Sequence, residues 1–121
     1  MKAEEKENYT WQEFSEDVEK IVLLIKESGR EFKNVYGPPR GGLVLGVCLS
    51  HRLEIPLILD AECITEDTLV IDDIADTGFT LYPWSHLNFI VTLFYHRQSI
   101  FVPDIWLREK KDKWICFPWE T

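Results

Sequence analysis

The residues of this chain that are best suited to chemistry lie in one short stretch, residues 70–80, which reads VIDDIADTGFT. Two adjacent acids, Asp72 and Asp73, come directly after an apolar run that is typical of a strand buried on both faces. A pair of carboxylates at such a place is unfavourable unless a partner compensates its charge. The pair therefore predicts a ligand that carries a metal ion or several hydroxyl groups.

The residues that follow the acids, residues 76–80, predict a phosphate-binding loop that opens a helix. Gly78 permits backbone angles that other residues avoid. Successive backbone N–H groups, together with the hydroxyls of Thr77 and Thr80, can surround a phosphate at the N-terminus of a helix. The whole stretch thus offers two carboxylates for a ribose diol and, one turn away, a loop for its 5-phosphate.

A second turn, with the sequence PPRGG, follows a short predicted strand at residues 34–37. Taken alone, this segment is most simply an ordinary Pro/Gly turn. In an open parallel sheet, however, ligands bind beyond the carboxyl ends of the strands. The stretches after Gly37, Ile71 and Tyr95 all lie at such ends, so we expect them to meet at one crevice.

Strands and helices alternate along the chain, which predicts βαβ units. Thr10 and Glu13 have the spacing of a capping box and Gly29 is a natural helix end, so these residues bound the first predicted helix. Further predicted elements are a helix at residues 43–52, a helical turn near 79–82, strands at 34–37, 57–59, 68–73 and 89–95, and short strands or ordered coil at 104–107 and 114–117. The predicted fold is α/β, a three-layer, mostly parallel sheet flanked by helices.

Length and composition limit the class of protein. With 121 residues, of which 45% are apolar and 28% charged, the chain is typical of one globular domain, placed at residues 9–121 after a flexible leader at residues 1–8. A formal net charge of −8 argues against nucleic acid binding. The apolar runs are too short to cross a membrane, and the charged first residues do not resemble a secretory signal. Three cysteines without CxxC spacing argue against disulfides or zinc, so we expect a cytoplasmic protein.

Three segments resemble motifs of one family. Residues 70–80 resemble the phosphoribosyl-pyrophosphate motif of the type I phosphoribosyltransferases at nearly every position. The segment YGPPRGGL at residues 36–43 resembles their pyrophosphate loop, and KWICFPWE at residues 113–120 resembles the closing WIxxPW segment of the bacterial xanthine–guanine subfamily. The likeness extends from about residue 9 to residue 120 and places the chain near the bacterial and archaeal xanthine–guanine (purine) phosphoribosyltransferases.

The resemblance implies an enzyme that transfers 5-phosphoribosyl from phosphoribosyl pyrophosphate to a 6-oxopurine base and releases pyrophosphate, with Mg²⁺ as cofactor and as a homodimer. Asp72 and Asp73 would hold the ribose hydroxyls and Mg²⁺, directly or through water, and Asp76 would also take or hold the purine N7 proton. The implied 5-phosphate contacts are Asp76, Thr77, Gly78, Phe79 and Thr80; the implied pyrophosphate contacts are Pro39, Arg40 and Gly41; the implied base contacts are His96, Trp114 and Ile115. A cis peptide bond before Arg40 is also implied.

The chain departs from the family pattern in two places. Family members usually have a lysine, aimed at the purine 6-oxygen, after the strand that corresponds to residues 89–95. This chain has His96 followed by Arg97 there, and either side chain could donate a hydrogen bond. The hood that closes over the donor is reduced to residues 60–67, which contain four acids and no Lys or Arg. The short hood motivates an alternative, a non-catalytic sensor of phosphoribosyl pyrophosphate or a nucleotide. A bare Mg²⁺ site for phosphoryl transfer is disfavoured, because it leaves the loop at 76–80 and the PPRGG turn without a role.

One charged segment receives a plain interpretation. Residues 108–113, with the sequence REKKDK, are expected to form a solvated turn.

Overall fold

A parallel five-stranded sheet organises the part of the chain that the computed structural model describes, residues 5–120. The helices and strands of these residues are β1 Lys6–Asn8, α1 Trp11–Glu27, β2 Asn34–Tyr36, α2 Gly41–Leu53, β3 Leu57–Ile58, β4 Thr68–Ala75, β5 Ile90–His96, β6 Ile105–Lys110 and β7 Trp114–Cys116. The large sheet has the order β3-β2-β4-β5-β6, while β1 and β7 form a separate parallel pair. Since each neighbouring pair in the large sheet is parallel, the carboxyl ends of its strands lie along one edge.

Helix α1 begins and ends where the sequence predicts. The Glu13 N–H donates to Thr10 Oγ1 over 3.0 Å, and the Thr10 N–H donates to Glu13 Oε1 over 3.0 Å. At the other end Gly29 adopts a φ of +72°, in the left-handed region that commonly stops a helix. The buried apolar residues of α1 are Phe14, Val18, Ile21, Val22 and Ile25, which are the residues that its helical spacing predicts.

The main core lies between both α-helices and one face of the large sheet. Besides the apolar stripe of α1, it contains Val35 of β2, Leu45 and Leu49 of α2, Leu69 and Ile71 of β4, and Val91 and Leu93 of β5. The opposite face carries a smaller cluster of Val70, Leu81 and Ile90, covered in part by Trp84 from a 3₁₀ turn at Tyr82–Trp84. The predicted mostly parallel, layered α/β fold is confirmed in an abbreviated form, with turns and coil in the third layer.

Arg108 of β6 ties α1 to the edge of the sheet. Its Nε donates to Asp17 Oδ2 over 2.7 Å, and its Nη1 donates to Glu13 Oε2 over 3.1 Å. The hydroxyl of Tyr9 donates to the same Asp17 Oδ2 over 2.6 Å, and Asp17 is only 1% exposed. Burial, followed by the hydrogen bond to Asp17, raises the pKa of Tyr9 above its ordinary value. The prediction of a solvated turn is wrong for Arg108, because β6 continues to Lys110 and presents this guanidinium to α1.

Two further segments differ from the sequence prediction, and a third agrees with it. Lys6–Asn8, expected in a flexible leader, pairs with the C-terminal strand β7, while residues 1–4 lie outside the described residues. This pairing joins the two ends of the chain, which local sequence patterns do not reveal. The strand β4 continues to Ala75, two residues beyond its predicted end. The predicted helical turn near 79–82 forms, because the Tyr82 N–H donates to the Gly78 carbonyl over 3.1 Å, and a 3₁₀ turn at Tyr82–Trp84 follows it.

Within residues 5–120, neither α-helix combines the length and the apolar character that crossing a bilayer requires.

Candidate active site

Asp72 and Asp73 lie toward the carboxyl end of β4, the central strand of the large sheet. Asp72 is 9% exposed, and its Oδ1 accepts the backbone N–H of Asp73 over 2.8 Å. Burial, followed by the charge of Asp73, raises the pKa of Asp72 well above its ordinary value, and burial also raises the pKa of Asp73. The two acids therefore stand where their charges are unfavourable until a cation or a hydroxyl-bearing ligand arrives.

The first glycines of α2 bring the helix N-terminus against this pair. A Cβ on Gly41 would overlap the Asp73 carboxylate, and a Cβ on Gly42 would stand 2.9 Å from Asp72 Oδ1. Only glycine permits this approach, which places the positive end of the α2 dipole beside the acids.

The turn that precedes α2 opens on a cavity. The Pro39–Arg40 peptide bond is cis, as the resemblance implies, and both residues are exposed. A cavity of about 580 Å³ is lined by Arg40, Gly41, Asp73, Trp114, Trp119 and Glu120. The turn after β2 and the acids of β4 thus share one space, as the sequence analysis predicts for strand ends of a parallel sheet.

The loop at residues 76–80 follows β4 and bends sharply at Gly78, whose φ is +87°. A Cβ on Gly78 would stand 2.5 Å from Ser99 Oγ and 2.9 Å from the Ile100 N atom. The loop is fixed there, because the Ile100 N–H donates to the Thr77 carbonyl over 2.9 Å. The bend therefore requires glycine both for its backbone angles and for space.

This loop offers free donors to an anion but no helix dipole. Within the described residues, the N–H groups of Thr77, Gly78 and Thr80 donate to no protein acceptor. The loop opens only one helical turn, closed by the Tyr82 N–H that donates to the Gly78 carbonyl over 3.1 Å, before the 3₁₀ turn at Tyr82–Trp84. A cavity of about 220 Å³ is lined by Asp72, Asp73, Ile74, Ala75, Asp76, Thr77, Gly78, Thr80, Leu81 and Phe101. Phosphate binding here would rest on the amides and hydroxyls of the loop alone.

A third cavity, of about 190 Å³, lies beside Trp114 and Ile115 at the start of β7. It is lined by Asp73, Ile74, Asp76, Lys110, Trp114, Ile115, Phe117 and Glu120. The Trp114 ring is 48% exposed, so one face is available to a flat ligand, while Ile115 is 4% exposed. Asp73 lines all three cavities, which therefore adjoin at the acid pair.

The carboxylate of Asp76 is held from two sides. Lys110 Nζ donates to its Oδ2 over 3.1 Å, and Gln98 Nε2 donates to its Oδ1 over 3.0 Å. The side chain of Lys110 is 10% exposed, and its Nζ stands 5.4 Å from the centre of the Trp114 ring. Sequence reasoning missed Lys110 because it assigned residues 108–113 to a solvated turn. The signal was the spacing of Arg108 and Lys110, which two positions apart share one face of a strand.

His96 lies at the end of β5, in register with Lys110 on β6. Its Nδ1 is 3.8 Å from Asp76 Oδ1 and accepts the Gln98 N–H over 3.3 Å. The cavity that His96 lines contains Arg97, Glu109 and Lys110, but not Trp114. The structure thus brings Asp76, Trp114 and Ile115 together around one cavity. His96 lies behind Asp76, and a role of His96 in base binding stays a prediction.

The donor set fits a Mg²⁺ ion that the substrate helps to bind. Among residues 5–120 there is no cluster of three or more His, Cys, Asp or Glu side chains that would hold a metal alone. Mg²⁺ is ordinarily bound by one or two carboxylates together with water and substrate oxygens, and Asp72 and Asp73 supply such a pair. Their burial and raised pKa values are the observations that a bound cation would explain.

Comparison with known proteins finds relatives that are named xanthine-guanine phosphoribosyltransferases. No protein-family model matches the chain. The xanthine-guanine phosphoribosyltransferase of Nitratidesulfovibrio vulgaris is 26% identical over 140 aligned positions, which cover 93% of this chain and 83% of that protein. The corresponding enzyme of Chromohalobacter salexigens is 25% identical, with 92% of this chain and 82% of that protein covered.

Solved structures agree with this result. The purine phosphoribosyltransferase of Pyrococcus horikoshii superposes with a TM-score of 0.80 at 26% identity, covering 97% of this chain and 95% of that chain. The Helicobacter pylori xanthine-guanine-hypoxanthine phosphoribosyltransferase also has a TM-score of 0.80, at 19% identity, covering 98% of this chain and 95% of that chain, and it supports the fold alone. The resemblance is confirmed: the chain has an abbreviated type I phosphoribosyltransferase fold and is similar to the xanthine–guanine phosphoribosyltransferases.

Proposed function

We propose that the protein transfers 5-phosphoribosyl from phosphoribosyl pyrophosphate to a 6-oxopurine base, a purine salvage reaction that releases pyrophosphate. The observation that carries the proposal is the meeting of three cavities at Asp73. Arg40 and Gly41, but not Pro39, line the first, and every residue of the phosphate loop except Phe79 lines the second. Trp114, the residue expected to stack on the base, lines the third. The pyrophosphate, the phosphorylated ribose and the purine can therefore occupy adjoining spaces.

In this reaction the bond between ribose C1 and the pyrophosphate oxygen breaks, a bond between C1 and a purine nitrogen forms, and the purine loses one ring proton. Positive charge develops on the ribose, so positioning and charge stabilisation carry most of the catalysis. Asp72 and Asp73 hold the ribose hydroxyls, and residues 76–80 hold the 5-phosphate. Asp76 accepts or holds the N7 proton, Trp114 stacks on the purine, and the Ile115 backbone contacts its edge.

The leaving group is held by the turn before α2. Pro39, Arg40 and Gly41 contact the pyrophosphate, and the exposed Arg40 offers a guanidinium that suits its oxygens. When bound, Mg²⁺ supplies positive charge that offsets the charge of the departing pyrophosphate. Asp72 and Asp73 would hold that ion.

The proposal also includes the cellular location, the oligomeric state and the partners of the protein. We propose a cytoplasmic homodimer that binds phosphoribosyl pyrophosphate and a purine base, and neither nucleic acid nor membranes. The negative charge of the chain opposes binding to nucleic acid, and the free thiols Cys48, Cys63 and Cys116 are typical of a cytoplasmic protein.

A second candidate function, a sensor that binds the donor or a nucleotide without turnover, is favoured by the segment between β3 and β4. This segment contains Asp60, Glu62, Glu66 and Asp67 and folds into a short 3₁₀ turn at Ala61–Cys63. Such a segment is too short for a long lid that excludes water, and its negative charge opposes a diphosphate.

A screen of purine bases decides between these functions. The purified protein is incubated with saturating phosphoribosyl pyrophosphate and Mg²⁺ and with hypoxanthine, guanine, xanthine or adenine, and nucleotide and pyrophosphate are measured. We expect nucleotide from at least one 6-oxopurine. Donor binding by calorimetry without product from any base would instead establish the sensor.

A further inference from the structure

We propose that Lys110 is the residue by which this site selects purines with an oxygen at C6 over purines with an amino group there. The inference rests on the proposed function and deepens it. It assigns this selection to a lysine on β6, the strand next to β5, which ends at His96.

Lys110 is largely buried beside the cavity expected to hold the base. Its side chain is nine-tenths buried, although it carries a charge, and it lines the same cavity as Asp76 and Trp114. A lysine is rarely buried to this extent unless its ammonium has partners. The partners that the structure shows are Asp76 Oδ2 at 3.1 Å and the Trp114 ring, whose centre is 5.4 Å from Nζ.

Lys110 and Asp76 offer complementary hydrogen-bonding groups to a ligand. Lys110 Nζ offers only donors, and ionised Asp76 offers only acceptors. On one edge of a 6-oxopurine, the C6 oxygen accepts and lies beside N7, which donates when it is protonated. A ligand stacked on Trp114 can therefore give its N7–H to Asp76 and accept from Lys110 at the same time.

A 6-aminopurine reverses one half of this match. Its C6 substituent is an amino group, a donor, as the donor and acceptor pattern of adenine shows. Placed against the ammonium of Lys110, the amino group would leave two donors facing each other in a largely buried place. Sites built to hydrogen-bond one polar group reject analogues that leave it unpaired.

Gln98 fixes the orientation of the Asp76 carboxylate. Gln98 Nε2 holds its Oδ1 over 3.0 Å, so the oxygen on the Lys110 side keeps a defined direction. His96, which is 3.8 Å from that same Oδ1, stands on the other side of the carboxylate. This arrangement makes Lys110, not His96, the cation that adjoins the Trp114 face.

The test compares Lys110→Met, which keeps the length and removes the donors, with Lys110→Arg, which keeps a cation. Lys111→Met is the matched control, because Lys111 is the exposed neighbour and does not line the Trp114 cavity. Calorimetry measures the binding of guanosine and adenosine 5′-monophosphate to each folded variant. Because N7 carries no proton in either nucleotide, the comparison tests the contact between Lys110 and the C6 substituent. The ratio of the two affinities is a readout that a merely structural role would not move.

We expect the wild type to prefer the guanosine nucleotide, and Lys110→Met to weaken its binding roughly 10- to 100-fold with little change for the adenosine nucleotide. Lys110→Arg should keep much of the preference, and Lys111→Met all of it. An unchanged ratio in Lys110→Met, or a wild type without a preference, would overturn the inference. Failure of the proposed function looks different, because nucleotide discrimination would persist without turnover of any base. A wild type that binds neither nucleotide would overturn both.

Discussion

At the scale of single residues, the site is built from groups that weaken the fold until a ligand compensates them. Asp72 and Asp73 are the clearest case, since burial and mutual repulsion raise the pKa of Asp72. A carboxyl whose pKa is raised by folding contributes stability below its unfolded pKa, about 3.9, and loses that contribution as the pH rises through the folded pKa. Keeping two acids at this buried place is therefore a stability cost that function retains.

The variant Asp72→Asn should be more stable than the wild type at pH 7, by about 1 kcal/mol, and should no longer bind the donor. Its side-chain oxygen can still accept the Asp73 N–H, while its amide removes the charge repulsion. Urea denaturation at several pH values measures the gain, which should shrink as the pH falls toward about 4. The exposed control Asp112→Asn should change neither property. A loss of stability in Asp72→Asn at pH 7 would contradict this description of the pair.

Individual residues also show what the sequence revealed and what it left out. The roles expected for Asp72, Gly78 and Arg40 followed from short contiguous motifs, and the structure places these residues around adjoining cavities. Lys110 has no such motif, because its importance comes from side-chain contacts with Asp76, which follows β4, and with Trp114. Contacts between residues 34 positions apart depend on sheet order, which a local pattern does not specify.

At the scale of elements, glycines set the distances between the loops and the acids. Gly41 lets α2 approach Asp73, and Gly78 lets the phosphate loop pack against Ser99 and Ile100. Gly29 has a positive φ like Gly78, yet a Cβ there would meet nothing within 4 Å. The three positions thus separate the need for space from the need for backbone freedom.

We predict that Gly41→Ala and Gly78→Ala abolish donor binding, whereas Gly29→Ala leaves it intact and costs only about 1 kcal/mol of stability. In Gly41→Ala the added methyl overlaps the Asp73 carboxylate, and in Gly78→Ala it strikes the backbone of Ile100. Calorimetric titration with phosphoribosyl pyrophosphate and Mg²⁺ measures the binding. Wild-type affinity in Gly41→Ala would show that the turn before α2 lies outside the donor site.

The second element-scale feature is the ion pair that joins α1 to β6. Arg108 binds Asp17 through two nitrogens, at 2.7 and 3.2 Å, and Asp17 is almost fully buried. Because β6 also carries Lys110, this pair holds the strand that reaches the base side of the site.

Replacing Arg108 by Ala should destabilise the protein by about 3 kcal/mol, since it leaves the buried Asp17 charge with only the Tyr9 hydroxyl and the exposed Lys20, 4.0 Å away. Arg52→Ala is the matched control, because it removes an arginine from an exposed pair with Glu19 and should cost less than about 1 kcal/mol. Urea denaturation of both variants measures the difference. Equal costs would show that the Arg108 pair is no more than a surface interaction.

At the scale of the whole molecule, the order of the strands brings distant segments to one edge. The order β3-β2-β4-β5-β6 places the ends of β2, β4 and β5 side by side, and the pairing of β1 with β7 holds the C-terminal segment that carries Trp114. The alternation of helices and strands was sufficient to predict the parallel sheet and the edge at which the candidate site lies. The β1–β7 pair was not predictable, because it depends on a contact between distant segments of the chain, whereas the short helical turn after the phosphate loop was.

The whole-molecule proposal depends on one claim, that the acids of β4 and the loop after them hold a phosphorylated ribose next to Arg40. Calorimetric titration of the protein with phosphoribosyl pyrophosphate, with and without Mg²⁺, tests it most directly. We predict one donor bound per chain in the presence of Mg²⁺, with binding lost in Asp73→Asn and kept in Asp112→Asn. No heat of binding in the wild type, or full affinity in Asp73→Asn, would contradict the claim.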